Sequence, residues 1–201
     1  MMFEAQTEWI APDNFPDLSG YKLIAIDLET RDPDLKSKGS GAVIGNGEII
    51  GVAVAVDGWC KYYPFGHEGG GNLDKKRILS WLTDVCATEA TKIFHNAMYD
   101  ICWLRSYGIK VNGHIVDTMV MASLVDENRM RYTLNALSWE YLGERKSEST
   151  LFEIAKNWGI DAKAELYKLP AIYVGEYAEK DAYLTLNLFK RLSTEIKKDN
   201  L

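Results

Sequence analysis

The spacing of apolar residues changes several times along the chain, and the changes mark out its elements. Tyr21 to Leu28 (YKLIAIDL) is a short apolar run rich in strand formers and predicts a buried strand. Residues 31–48 hold Gly39, Gly41, Gly45 and Gly47 with Asp32, Pro33 and Asp34, a composition that predicts a long flexible loop. Ile49–Val56 and Trp59–Phe65 are again strand-like, and the Asp57-Gly58 pair between them predicts an antiparallel hairpin. From Asn72 to about Ala87, Leu73, Ile78, Leu79, Leu82 and Val85 recur at helical spacing. Lys92–His95 predicts a short strand, Asn96–Tyr107 a helix ended by Gly108, and Val111–Val116 a further short strand. Helices then dominate, the longest over Val174–Lys198. Residues 1–20, with Pro12, Pro16 and Gly20 and no sustained period, read as an N-terminal extension, leaving 21–201 as the domain. An antiparallel start followed by alternating strands and helices predicts an α/β fold, a mixed central sheet with helices on both faces.

Composition narrows the class. At 201 residues, 47% hydrophobic and 26% charged, the chain is long enough for one sizeable core and is not of disordered type. No apolar run approaches the length of a membrane span, and no basic-then-apolar leader pattern opens the sequence. Cys60, Cys86 and Cys102 are odd in number and widely spaced, which argues against a disulfide framework or a structural zinc site and for a reducing, cytoplasmic setting. The net charge of −6 argues, by itself, against a protein that coats nucleic acid. Its distribution changes that reading. Of 29 acids and 23 bases, eight and two fall within residues 1–34, so the rest of the chain carries 21 of each.

Three carboxylate-bearing pairs stand out. Asp27 and Glu29 lie two apart at the end of the first predicted strand, so both face one side of the sheet if the strand continues, or water if it has ended. Asn96 and Asp100 are four apart at a helix start and share a face, although Asn96 is equally a natural N-cap. Tyr177 and Asp181 are four apart on the longest helix, where the alternative is one acid on a wet face. Four carboxylates converging on one point would repel strongly unless divalent cations offset them. Oxygen-only ligands favour Mg²⁺ or Mn²⁺ over zinc.

Strand D-x-E, then N-x₃-D opening a helix, then Y-x₃-D on a late helix resembles the motif set of the DEDD superfamily of 3′–5′ exonucleases, in its tyrosine branch. From about Leu23 to Leu192 the chain resembles the proofreading domain of family A (DNA polymerase I-like) polymerases of bacteriophage type. Segments such as Asp117-Thr118-Met119, Thr133-Leu134-Asn135-Ala136-Leu137 and Tyr141-Leu142-Gly143 add to that likeness. The resemblance implies a ribonuclease H-like fold and two divalent cations, Mg²⁺ or Mn²⁺. It further implies that Asp27, Glu29 and Asp181 hold one cation, that Asp27 is shared with the second, and that Asp100 acts on the second through water. Tyr177 would orient the attacking water, and nucleoside 5′-monophosphates would leave the 3′ end of single-stranded or frayed DNA.

Further residues are expected around the substrate. Thr30 and Asn96 are candidates for contact with the terminal nucleotide and backbone, and Leu35 for a wedge beside the 3′ base. Phe152 either stacks on the last bases or is a core residue at helical spacing. His95 either touches substrate or fills the strand end. Lys36, Lys38, Arg129, Arg131, Arg145 and Lys146 are the basic candidates for a strand channel, each otherwise part of a solvated face. His67 and His114 have no motif and read as structural. Asp117 reads as a helix cap. Gly69-Gly70-Gly71 lacks the context of a phosphate loop. A DNA polymerase domain is the expected partner, in cis or in trans, whether the chain is an excised domain or a freestanding nuclease. Two rival readings are an RNase D-like exoribonuclease and a non-catalytic nucleic-acid-binding scaffold; the full set of acids weighs against the second.

Overall fold

The computed structural model describes residues 7–145 and 148–198. Among them, five strands form one sheet: β1 (Leu23–Arg31), β2 (Glu48–Val56), β3 (Trp59–Pro64), β4 (Thr91–Phe94) and β5 (Ile115–Asp117), in the order β3-β2-β1-β4-β5. β1, β2 and β3 are antiparallel neighbours, and the Asp57-Gly58 turn closes the β2–β3 hairpin with Val56 opposite Trp59. β4 joins β1, and β5 joins β4, in parallel. The mixed α/β sheet foreseen from the sequence is therefore present. β1 extends three residues beyond its predicted end, because its outer half pairs with β2 through Arg31. β5 is shorter than the Val111–Val116 run from which it was expected.

The described residues also form eight α-helices, α1 (Leu35–Lys38), α2 (Gly41–Ile44), α3 (Lys75–Ala87), α4 (Ala97–Ser106), α5 (Thr118–Val125), α6 (Leu134–Leu142), α7 (Ser149–Trp158) and α8 (Gly175–Lys198), and two 3-10 turns, Leu166–Lys168 and Ala171–Tyr173. The segment expected as a flexible loop, 31–48, instead carries α1 and α2. Both Asp32 carboxylate oxygens accept from the Gly41 amide, at 3.0 and 3.1 Å, and fix the start of α2. α3 begins at Lys75 rather than near Asn72, because Asp74 caps it by accepting from the Arg77 amide, whereas Asn72 is bonded to the backbone of His67.

The alternation of β1 divides the core. Ile24, Ile26 and Leu28 face α3 and α4, packing with Ile78, Leu82, Trp103 and Leu104. Ala25 lies on the opposite face with Ala53 and Ala55 of β2, against Ala178 and Ala182 of α8. Small residues on both sides let α8 lie close to the sheet. Farther along, α8 packs with α5 and α6 through Leu184, Leu188 and Leu192. Residues 7–20 close over both faces: Trp9 lies among the α8-side residues, Phe15 stacks on Tyr63 at 5.1 Å, and the Trp81 indole donates to the Pro16 carbonyl at 2.8 Å. No described helix is long and apolar enough to cross a membrane.

Candidate active site

β4 pairs with β1 only from Leu23 to Ala25, so β1 runs on beyond its parallel neighbour. A crevice at the carboxyl ends of sheet strands is where α/β proteins commonly place their chemistry. Asp27 and Glu29 lie on this outer stretch, which β2 pairs on its other edge, and on the face turned to α8. The register of β1 against β2 shifts between Glu29 and Thr30, a bulge that re-aims the strand directly after the second acid.

α8 brings the third carboxylate. Asp181, only 3% exposed, presents an oxygen that lies with oxygens of Asp27 and Glu29 inside one group, all within 4.8 Å of each other. Three carboxylates gathered so closely fit an oxygen-seeking divalent cation, and their mutual repulsion is what such a cation would relieve. Tyr177, one turn earlier on α8, has its phenol pushed well above the usual range by burial, then by the charges of Asp181, Glu29 and Asp27. It remains a protonated hydrogen-bond donor and is unsuited to act as a base.

Asp100 enters from the other side of the strand, on the first turn of α4. It is 4% exposed, and its Oδ1 accepts from the Leu28 amide at 3.1 Å, between the two β1 acids. Burial, followed by the charge of Asp27, pushes its carboxyl well above the ordinary carboxylate range, and Glu29 adds to the effect. Asp100 thus adjoins the acidic group, although it is not one of the three that share the tight cluster.

Tyr62 and Gly51 complete this face and were not foreseen. Ala53 stands opposite Asp27 and also opposite Tyr62 on β3, while Gly51 stands opposite Glu29. A β-carbon on Gly51 would lie 2.1 Å from the Tyr62 hydroxyl oxygen, so only glycine lets that ring cross the sheet. Burial raises the Tyr62 phenol, and Glu29 and Asp27 raise it further. Its hydroxyl donates to His67 Nε2 at 2.7 Å, while His67 Nδ1 donates to the Leu169 carbonyl at 2.9 Å. Alternation along β3 does not by itself place Tyr62 beside Asp27; that follows from the β1–β2 and β2–β3 registers, which no local pattern sets.

The surrounding candidates separate into distinct groups. Thr30 Oγ1 is 2.6 Å from the Tyr99 hydroxyl, which also donates to Asp32 at 3.2 Å, so Thr30 is tied to the α2 segment. Asn96 occupies the N-cap position but makes no side-chain capping bond, unlike the alternative of an ordinary cap; its backbone is left-handed, φ 70°. His95 Nδ1 lies 2.8 Å from Thr118 Oγ1. Phe152 is 44% exposed, which removes the alternative of a core residue, and Leu35 is likewise exposed. Lys36 faces Asp161 electrostatically, whereas Lys38 is bonded to Asp34 at 3.0 Å. Arg129 is a correction: its guanidinium pairs with Glu140 and Asp126, lies over Tyr141 and is only 10% exposed, so it is no open phosphate ligand. Arg131 is exposed, and Arg145 lies over the Trp139 ring at 4.1 Å. Lys146 lies outside the described residues. Gly70 and Gly71 adopt positive φ, 92° and 80°, whereas Gly69 serves packing. A β-carbon on Gly69 would meet Pro170 N at 2.3 Å, just ahead of α8.

A strand carrying two acids, beside helices that each bring another, is set here in an α/β fold of ribonuclease H-like type. Solved structures share that fold: NrnC of Brucella melitensis with bound Mg²⁺ (TM-score 0.63, 19% identity, 95% of this chain and 81% of that one) and Escherichia coli RNase D (0.60, 17%, 90% and 41%). Residues 5–197 match the 3′–5′ exonuclease family of DNA polymerase A, and the chain belongs to that family. A Pseudomonas phage M6 protein described as a DNA-directed DNA polymerase is 36% identical over 202 residues, covering 97% of this chain and 30% of its own length. The chain therefore spans under a third of that relative.

Proposed function

We propose that this chain removes nucleoside 5′-monophosphates from the 3′ end of single-stranded or frayed DNA, as the proofreading activity associated with a family A DNA polymerase. The observation that carries the reading is the convergence of Asp27, Glu29 and Asp181 within 4.8 Å, from a strand and a helix, beside buried Asp100. Asp27, Glu29 and Asp181 would hold one divalent cation, Asp27 would be shared with a second, and Asp100 would act on that second one through water, each cation being Mg²⁺ or Mn²⁺. When bound, such cations would activate a water and offset charge on the attacked phosphodiester and the departing 3′-oxygen.

The chain's own residues supply orientation and exclusion of bulk water. Tyr177, protonated and one turn from Asp181, donates a hydrogen bond that orients the attacking water. Asp100, anchored on the Leu28 amide, holds its carboxyl at the edge of the cluster. Thr30 and Asn96 contact the terminal nucleotide and its backbone. Leu35 and Phe152 are exposed apolar surfaces against which the last bases pack, and base–aromatic stacking contributes roughly 1–3 kcal/mol per base. Lys36 and Arg131 carry the strand's phosphates. The polymerase relative supports association with a polymerase domain in cis or in trans.

Asp27→Ala and Asp181→Ala are each expected to reduce digestion of single-stranded DNA with Mg²⁺ to background while leaving cooperative unfolding intact. Matched RNA assayed alongside tests the substrate class. Retained digestion by either purified variant would sink the assignment of these acids.

A further inference from the structure

Asp117 does more than cap the helix that follows it. Its Oδ1 accepts from the Met119 amide at 2.8 Å, which caps α5, and also from the Asn96 amide at 3.0 Å. Oδ2 accepts from the Ala97 amide at 2.8 Å. One carboxylate thus serves the N-termini of two helices, α4 and α5. The next residue adds a second tie, since Thr118 Oγ1 donates to the Phe94 carbonyl at 3.1 Å and accepts from His95 Nδ1 at 2.8 Å. The turn 95–97 is therefore held from the neighbouring strand end, through the parallel pairing of Phe94 with Asp117.

Asn96 lies in that turn and is the only non-glycine residue with positive φ among the described residues. A left-handed backbone is uncommon for any side chain and persists where surrounding contacts over-determine it. An N-cap asparagine ordinarily spends its side chain on the helix amides. Here another residue supplies the acceptors, and the Asn96 side chain makes no capping bond.

We propose that Asp117 is a positioning residue of the exonuclease. It replaces Asn96 as the cap of α4, fixes the left-handed turn, and so leaves the Asn96 side-chain amide to contact the DNA backbone. The inference rests on the reading of Asn96 as a substrate contact. It assigns Asp117 no contact with DNA or cation.

Asp117→Asn is the discriminating variant. Its one carbonyl oxygen can still cap α5, while its NH₂ group opposes the Ala97 N–H. The test is a double-mutant cycle on the full chain with Asn96→Ala, reading kcat/KM on 5′-labelled single-stranded DNA with Mg²⁺ and thermal unfolding of each variant. Asp117→Asn is expected to lower kcat/KM on the order of ten- to a hundredfold, since misplacing a substrate contact by about 1 Å can cost roughly a hundredfold. In the Asn96→Ala background the same change is expected to cost under about twofold, because the two act through one contact. Asp117→Ser takes the place of Asp117→Asn if the latter loses cooperative unfolding. Full activity of the Asp117 variant would overturn the proposal. Multiplicative losses in the double variant would overturn it while leaving Asn96 as a substrate contact. An Asn96→Ala enzyme as active as the parent would overturn both that contact and the role built on it.

Discussion

His67 shows how one side chain records its surroundings. It is 3% exposed, and burial pushes its imidazole down to about 4, from the ordinary 6.5. The Leu169 carbonyl can only accept, so Nδ1 carries the proton and Nε2 accepts from Tyr62. Between pH 4 and 6.5 the unfolded chain binds a proton at this position that the folded chain does not. Stability contributed by neutral His67 is therefore complete above about pH 6.5 and is lost as pH falls towards 4. The difference in affinity corresponds to roughly 3 kcal/mol. Urea unfolding from pH 7 to 4.5 is expected to show this acid sensitivity, with a shallower slope in His67→Gln. Equal slopes would show that the ring does not remain neutral. At the same scale, Tyr177 and Tyr62 are raised by burial and by the acids beside them, which keeps both as donors.

The elements meet through small residues, and that is how short carboxylate side chains come together. Ala178 and Ala182 of α8 lie against Ala25, Ala53 and Ala55, all essentially without exposure. Ala178→Val would overfill this layer, at a cost of about 1–3 kcal/mol, and push Tyr177 and Asp181 away from β1. A displacement near 1 Å can cost on the order of a hundredfold in rate. Leu188→Ala, farther along the same helix, is expected to destabilise by about 2–5 kcal/mol yet leave the activity of the folded fraction near normal. Equal specific activities in the two variants would contradict the role given to the alanine layer. These elements also explain what was legible beforehand. The D-x-E pair was readable because a strand has a fixed period of two, and Tyr177 with Asp181 because a helix repeats near four. The longer β1, its bulge and the helical turns in 31–48 were not, since they depend on β2 pairing and on Asp32 reaching Gly41 nine residues away. Arg129 looked like a free cation because its pairing with Glu140 joins two segments that no local pattern links. Tyr62 and Gly51 were missed for the same reason: their partnership runs across strands.

For the whole molecule, the concentration of acid at one end of the sheet would suit divalent cations. Binding to the folded state alone stabilises by about 2.7 kcal/mol at a ligand concentration near 100 times Kd. For a chain of this size that is roughly a 5–10 °C rise in Tm. Mg²⁺ or Mn²⁺ is expected to raise Tm in the parent chain, EDTA to reverse the shift, and Asp27→Asn to show little response. An unchanged Tm at activating concentrations would count against a cation held by Asp27, Glu29 and Asp181. The net charge of −6, which taken alone points away from nucleic acid, is thus in part a local property of the site. Residues 35–201 carry 21 acids and 21 bases, and Lys36 and Arg131 among them are exposed. The measurement that tests the central claim most directly is a time course, with Mg²⁺ and with EDTA, on single-stranded DNA labelled at either end. A 3′ label should be released at once as a nucleoside 5′-monophosphate, while a 5′ label should pass through a ladder of shortening products, only with metal. Early release of the 5′ label as mononucleotide, internal cutting, or digestion unaffected by EDTA would contradict the account.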